Sequence, residues 1–284
     1  MIGSWQEHQL AWRDLQNNRL MSRWSTQDFE IALSSLGIES QSHIFVHSSL
    51  GMLGNHHQGT PASAILDCFE TLFDKGIQVY FPAFTYSLSE NLIFDPNSDY
   101  RIIEMGALSK EAFLRNYSRT LDPIFSVLTN QKNSHNLGTN PISSSFGPGS
   151  LFSRLVDENT FILNLGTGVG TTLLHEVERR LDVPYRQDKF FGGEMLNSNG
   201  SILSCSNWRS YVRDLKFEGS AADFRFLNKI TTGQDFVSRL RFGKTEISIY
   251  RIQDMAKFIE KSLRKWPNLL NKRGVEESSL FESY

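Results

Sequence analysis

The sequence predicts an α/β fold in which helices cover a largely parallel sheet. Two observations carry this expectation. Helical and strand-like periods alternate from residue 25 onward, and the strand-like runs are short, apolar, and rich in β-branched and aromatic residues. Glycines also follow directly on two of these runs, at His43-Ile-Phe-Val-His47-Ser-Ser-Leu-Gly-Met-Leu-Gly54 and at Phe161-Ile-Leu-Asn-Leu165-Gly166. In open α/β sheets ligands sit in the crevice beyond the strand ends. Gly51 and Gly54 let the backbone turn there and approach a ligand closely.

The elements follow in order. Ser25 caps a helix with Phe29, Ala32, Leu33 and Leu36 on one face, stopped by Gly37. The strand ending at His47 comes next. Thr60-Pro61 opens a second helix with Pro at its first position; Ile65, Cys68, Phe69 and Phe73 form its apolar stripe, and Gly76 ends it. A strand over 77–81 runs into Pro82. Residues 87–150 are rich in Asn, Ser, Pro and Gly and read as long ordered loops around one helix at 108–115. A strand over 161–165 precedes a glycine turn and a helix from Thr171. Asn197, Asn199 and Gly200 mark a hairpin turn between Met195-Leu196 and Ile202-Leu203. A strand over 246–252 and an amphipathic helix over 253–266, with Met255, Phe258, Ile259 and Leu263 inward, close the series.

At 284 residues the chain is long enough for a sizeable core. No segment reads as an interdomain linker. The expectation is one domain over 1–284, with 1–24 as an N-terminal extension. Composition is that of a soluble globular protein, 39% hydrophobic and 21% charged. A net charge of −2 gives no basic surface for nucleic acid or an anionic membrane. Cys68 and Cys205 are far apart and form no Cys-x-x-Cys pair, which argues against a disulfide framework and a thiolate metal site. No signal-like start or membrane-length apolar run occurs, so a cytoplasmic location is expected.

Several segments carry chemistry. Gly166-Thr-Gly-Val-Gly170 looks like a phosphate cradle, yet it fits neither the dinucleotide fingerprint nor a P-loop, which favours a tight turn that lets the helix pack closely on the sheet. His175 and Glu178 stand three apart on a helix and are surface neighbours. A carboxylate beside a His orients the ring and stabilises the imidazolium, as a general base requires. An exposed polar pair is the competing reading, and no second cluster at ligand spacing supports a metal. Arg119-Thr120-Leu121-Asp122-Pro123-Ile-Phe-Ser126 and Ser143-Ser-Ser-Phe-Gly-Pro-Gly-Ser150 gather hydroxyls and charge in loops, as turns or as the lining of an acyl or anion pocket. The Gly-x-Ser-x-Gly nucleophile elbow is absent, against an ordinary serine hydrolase.

In this order the pieces resemble the aminoglycoside 3-N-acetyltransferase family. The likeness rests on Val46-His47-Ser48-Ser49-Leu50 with Gly54, Phe81-Pro-Ala-Phe-Thr85, Met105-Gly106-Ala-Leu, Arg119-Thr-Leu-Asp-Pro123 with Ser126, Phe146-Gly-Pro-Gly-Ser150, Ile162-Leu-Asn-Leu-Gly166, Thr172-Leu-Leu-His175-Glu-Val-Glu178 and Gly243-Lys244. It spans roughly residues 25–270. The resemblance implies a three-layer α/β/α sandwich with a central mixed sheet, and acyl transfer from coenzyme A to a primary amine. The chain departs from the family at two places. Asp122-Pro123 stands where members usually carry His-Pro. The His usually found shortly before the Phe-Gly-x-x-Ser stretch, the family's usual base, has no counterpart, and His135 lies too far upstream to replace it. Together with Val183-Pro-Tyr185-Arg186, these departures resemble a divergent branch tied to bacterial surface-polysaccharide synthesis, which implies an amino-sugar acceptor, nucleotide-linked or not.

On this reading His175 is the base, with Glu178 and Asp122 binding the ammonium and helping to remove its proton. His47, Ser48, Ser49, Leu50 and Gly54 lie along the pantetheine arm or thioester, and Thr120 and Ser126 help bind the donor. Thr85, Tyr86, Tyr185 and Arg186 face the acceptor. The co-substrate is acetyl-CoA or another acyl-CoA, and no metal is involved. The partner is a small-molecule amine, with a homodimer left open. Rival readings are an inactive sugar-nucleotide or acyl-carrier binding protein of the same fold, an aminoglycoside acetyltransferase, and a thioester or amide hydrolase.

Overall fold

The apolar runs assemble into a seven-stranded sheet in the computed structural model, which describes residues 23–38, 43–98, 102–131, 144–158, 160–197 and 199–280. Residues 1–22, most of the proposed N-terminal extension, and His135 lie outside the described residues. In chain order the elements are β1 (Arg23–Trp24), α1 (Thr26–Ser35), β2 (His43–Ser48), β3 (Asn55–His56), α2 (Pro61–Phe73), β4 (Gln78–Pro82), α3 (Ala107–Leu114), β5 (Ser118–Arg119) and β6 (Val127–Thr129). They continue with α4 (Leu151–Asp157), β7 (Thr160–Leu165), α5 (Leu174–Arg180), β8 (Arg186–Leu196), β9 (Ile202–Arg213), α6 (Arg225–Ile230), β10 (Val237–Phe242), β11 (Thr245–Arg251), α7 (Ile252–Leu263) and α8 (Lys272–Leu280).

The sheet runs β10-β11-β7-β2-β4-β6-β5. Only its centre is parallel: β2 pairs in parallel with β4 and β7. Both flanks are antiparallel, β10 and β11 on one side, β5 and β6 on the other. The sheet is therefore mixed rather than largely parallel. The period of two along β2 sorts its side chains. Ile44 and Val46 join the apolar layer under α1, α2 and α3, built on Phe29, Ile65, Phe69 and Leu108. Phe45 joins the opposite layer with Phe152, Leu174, Val177, Met255 and Ile259 from α4, α5 and α7. Two core layers on one sheet make the α/β/α sandwich.

Local chemistry accounts for the helix starts. Ser25 and Asp28 form a reciprocal capping box ahead of α1, and the Thr60 hydroxyl accepts from Ser63 N–H ahead of Pro61 in α2. The middle of the chain differs from expectation. Besides α3 it holds β5, β6 and α4. The two strands are two and three residues long, too short to show a period. In α4, Leu151, Phe152, Leu155 and Val156 are buried while Arg154 and Asp157 face outward, but at seven residues the helix spans only two turns, too few for its period to stand out. Helix α5 begins at Leu174 rather than Thr171, because Thr171 to Leu173 form the preceding turn. The hairpin extends into an 11- and 12-residue ribbon, β8–β9, separate from the main sheet. Single bridges from Phe94 to Met195 and from Ser144 to Arg209 hold the ribbon over the loops before and after β6.

The loop after β2 is pinned by the β10–β11 turn. Lys244 N–H donates to Met52 carbonyl oxygen at 3.2 Å. Gly243 takes φ +60°, and a Cβ there would stand 2.0 Å from the carbonyl oxygen of Leu53. Neither backbone can retreat without breaking this contact. Gly243→Ala is therefore expected to cost about 3 kcal/mol or more in urea unfolding, from the left-handed backbone plus the clash. Loss under about 1 kcal/mol would mean that the turn is not anchored in this way.

Candidate active site

Period two carries His47 onto the face of Phe45, whose ring centroid lies 5.2 Å from the imidazole. There His47 meets the turn before α5. Its Nε2 is 3.0 Å from Thr171 Oγ1 and accepts from Thr172 N–H at 3.3 Å. Burial, with His175 as the second cause, pulls its pKa down to about 4. Ser48 is the last residue of β2, and exposed Ser49 donates its N–H to Leu165 carbonyl oxygen at 2.8 Å. Leu50 opens a short 3-10 turn, and Gly54 closes the loop at φ +84°. The tips of β2 and β7 thus stand side by side.

One turn into α5, the i, i+3 spacing places His175 Nδ1 2.6 Å from Glu178 Oε2. Glu178 is fully buried, and the same oxygen stands 2.7 Å from Arg186 Nε. Arg186 returns to the imidazole: one of its terminal nitrogens lies 3.3 Å from His175 Nε2. A guanidinium only donates. Nε2 therefore carries the lone pair, and Nδ1–H donates to Glu178. Burial is the largest cause lowering the His175 pKa; Arg186 adds to it, and Glu178 opposes both. The result is a neutral imidazole held in one tautomer by a buried ion pair.

Rings connect the two imidazoles. Phe45 lies 6.0 Å from Phe152, Phe152 lies 5.0 Å from Phe146, and Phe146 lies 6.1 Å from His175. Phe146 belongs to the loop fastened to α5 by Glu176, which accepts from Gly147 N–H at 2.6 Å and from Arg180 Nε at 3.0 Å. The sequence reading missed Glu176. Its spacing four before Arg180 is the signal that marks it.

The acceptor and donor expectations fare unevenly. Thr85, with Ser87, Leu92, Ile93, Asp95 and Ser98, lines a cavity of about 300 Å³. Tyr86, at φ +56°, packs its ring on Phe84 and Phe125 beside it. Tyr185, expected to face the acceptor, is fully enclosed in the core with its phenol against Glu178. Arg186 is 6% exposed and is held inside the cluster by Glu178.

Thr120 and Ser126, expected at the donor, spend their hydroxyls on neighbouring backbone and on Arg119. Thr120 Oγ1 accepts from Val127 N–H at 3.0 Å. Ser126 donates to Ala83 carbonyl oxygen and accepts from Arg119 Nε at 3.0 Å. Arg119 is buried among backbone carbonyls, and burial lowers its pKa to about 10. Asp122 Oδ1 accepts from the N–H groups of Ile124 and Phe125 at 2.9 and 2.8 Å and from Ser145 Oγ at 3.0 Å. Trp208 Nε1–H donates to the same Ser145 oxygen at 2.9 Å. Asp122 thus ties the 122–125 turn to the loop at Ser145 and the ribbon; its hydrogen bonds do not run to His175 or Glu178. Among the described residues no group of three or more His, Cys, Asp or Glu is placed to hold a metal, and no helix is long and apolar enough to cross a membrane.

The α/β/α sandwich thus brings a strand-tip imidazole and a helix-borne imidazole–carboxylate pair to the same side of its sheet. The aminoglycoside 3-N-acetyltransferase family model matches residues 45–264, and the chain belongs to that family. It is an acyl-CoA-dependent N-acyltransferase, with acetyl-CoA as co-substrate. No curated protein matches it in sequence. Solved structures that resemble it in fold include three acetyltransferases. AAC-VIa bound to sisomicin is 18% identical with TM-score 0.70, covering 85% of this chain and 98% of that one. The aminoglycoside acetyltransferase AAC(3)-IIb is 18% identical with TM-score 0.70, covering 86% and 98%. AAC-IIIb in its binary complex with CoASH is 17% identical with TM-score 0.68, covering 86% and 97%.

Burial raises the Asp122 pKa to about 6, against the lowering effect of its three hydrogen bonds. The folded state then holds this proton more tightly than the unfolded chain, whose carboxyl titrates near 3.8. The favourable contribution is present below pH 3.8 and is lost as pH rises through 6. Urea unfolding from pH 4 to pH 7 should show roughly 2 kcal/mol of lost stability from this group, absent in Asp122→Asn. Parallel wild-type and variant curves would contradict it.

Proposed function

We propose that this enzyme transfers an acetyl group from acetyl-CoA to a primary amine of an amino sugar, with His175 as the base. The observation that carries the proposal is the neutral His175 ring, its Nδ1–H donated to buried Glu178 and its lone pair on Nε2. The amine nitrogen bonds to the thioester carbonyl carbon, the C–S bond breaks, and coenzyme A leaves as its thiol. Nε2 takes the proton shed by nitrogen, Glu178 stabilises the imidazolium that results, and the imidazolium gives that proton to the departing sulfur. What supports a thioester near the strand tips is the exposed Ser49 beside His47, with the buried rings of Phe45, Phe152 and Phe146 packed between the two imidazoles. Asp122 organises the loops at one side of that floor through Ser145.

Aminoglycosides are the first acceptor class, because the family is defined by them and similar structures hold sisomicin, a gentamicin and apramycin. A nucleotide-linked amino sugar, as used in surface-polysaccharide synthesis, is the second. What supports it is the likeness to that branch at Asp122-Pro123 and Val183-Pro-Tyr185-Arg186.

Thiol release from acetyl-CoA against a panel of aminoglycosides and nucleotide-linked amino sugars tests both readings. Release that depends on an amine is expected. Equal release without any acceptor would indicate a hydrolase, and none at all an inactive binding protein. His175→Ala should lower turnover by roughly two to four orders of magnitude. The acid limb of kcat/KM assigned to this base should fall below pH 6.5, since its pKa is lowered from that value. That limb should vanish in His175→Ala; near-normal turnover in the variant would remove His175 from the reaction.

A further inference from the structure

His47 carries a hydrogen-bond donor that the proton-transfer couple does not use. Two groups approach its Nε2, the Thr172 backbone N–H at 3.3 Å and Thr171 Oγ1 at 3.0 Å. A backbone N–H donates and never accepts. Nε2 must therefore offer its lone pair, and the ring proton sits on Nδ1. With the pKa pulled down to about 4, the ring is neutral across the working range. Nδ1 has no hydrogen-bond partner among the described residues, and the residue is only partly covered. Phe45 packs against the ring, and the Thr171–Thr172 turn fixes its rotation. A rigid, neutral, unpartnered N–H thus stands at the tip of β2, close enough to His175 for the two rings to perturb each other electrostatically.

Acyl transfer needs such a group. As the amine nitrogen bonds to the carbonyl carbon, the carbonyl pair moves onto oxygen, and collapse then restores the carbonyl and expels the thiolate. Donors aimed at that oxygen in advance are among the largest contributors to such reactions. A neutral imidazole serves this role without giving up its proton. We propose that His47 Nδ1–H donates to the thioester carbonyl oxygen and holds the oxyanion formed there. This rests on the acyl-transfer reading above. His47 keeps its proton throughout, and the nitrogen's proton goes to His175. Thr171 and Thr172 are positioning residues, which keep Nε2 occupied so that Nδ1 is the donor.

Difference infrared spectra of carbonyl-labelled acetyl-CoA on the intact chain, with no amine present, test the contact directly. The bound carbonyl stretch should lie below that of free acetyl-CoA in the wild type and return to it in His47→Gln. Gln keeps an acceptor for the Thr172 N–H and places no donor at Nδ1. Turnover in His47→Gln should fall roughly 10²- to 10³-fold with KM for acetyl-CoA little changed. His47→Asn, whose amide N–H reaches the Nδ1 position, should recover part of the loss. Nitrogen NMR of the wild type gives a reading independent of any variant's folding: Nδ1 should resonate as protonated and Nε2 as unprotonated. An unshifted carbonyl in the wild type, an equal shift in His47→Gln, or a protonated Nε2 would overturn the assignment. A shifted carbonyl in a wild type that releases no thiol with any amine would defeat the acyl-transfer reading and uphold the donor.

Discussion

A carboxylate without exposed surface organises the cleft. Glu178 draws His175 Nδ1–H and the Arg186 guanidinium onto one oxygen, with the phenol of Tyr185 packed against it. Burying such a charge is costly unless it is paired and hydrogen-bonded. The cation that pairs it comes from the first residue of β8, so the ribbon must fold back onto α5 before the site is electrostatically complete. Helix, ribbon and base are therefore one unit. The tautomer of His175, and with it the position of its lone pair, follows from that pairing.

The sheet sets the second half of the cleft in the same way. A strand whose alternate residues belong to opposite core layers delivers His47 to the α5 side, while Val46 packs under α1 and α2. The turn before α5 then holds both imidazoles: Thr171 and Thr172 fix His47, and His175 follows within one helical turn. Phe45, Phe152 and Phe146 fill the space between them with rings that need no hydrogen bonds. Both rings are held neutral chiefly by burial, each with a different nitrogen presented.

Much of this was legible in the sequence where a local rule was strong. Ser25 with Asp28, and Thr60 with Pro61, announce α1 and α2 through their caps. His175 and Glu178 announce themselves by spacing. Elements without a local signature were hidden: β5 and β6 are too short for a period, and α4 is only seven residues long. Hydroxyls misled for a related reason. Thr120, Ser126 and Asp122 look like pocket chemistry in one dimension, yet backbone groups of their own turn, the Ala83 carbonyl and Ser145 take up their hydrogen bonds. Tyr185 and Arg186 point inward because a ribbon far longer than its turn suggested folds across α5, a long-range contact no local window contains.

Arg186 has one more implication. While its guanidinium leans on His175 Nε2, that lone pair is spoken for. Water drifting into the cleft meets a capped base and an idle thioester. Under the proposed reaction an incoming amine would have to take the place of that guanidinium at Nε2, so the residue that holds Glu178 also stands in the acceptor's path. A transferase built in this way is protected from squandering its donor between acceptors.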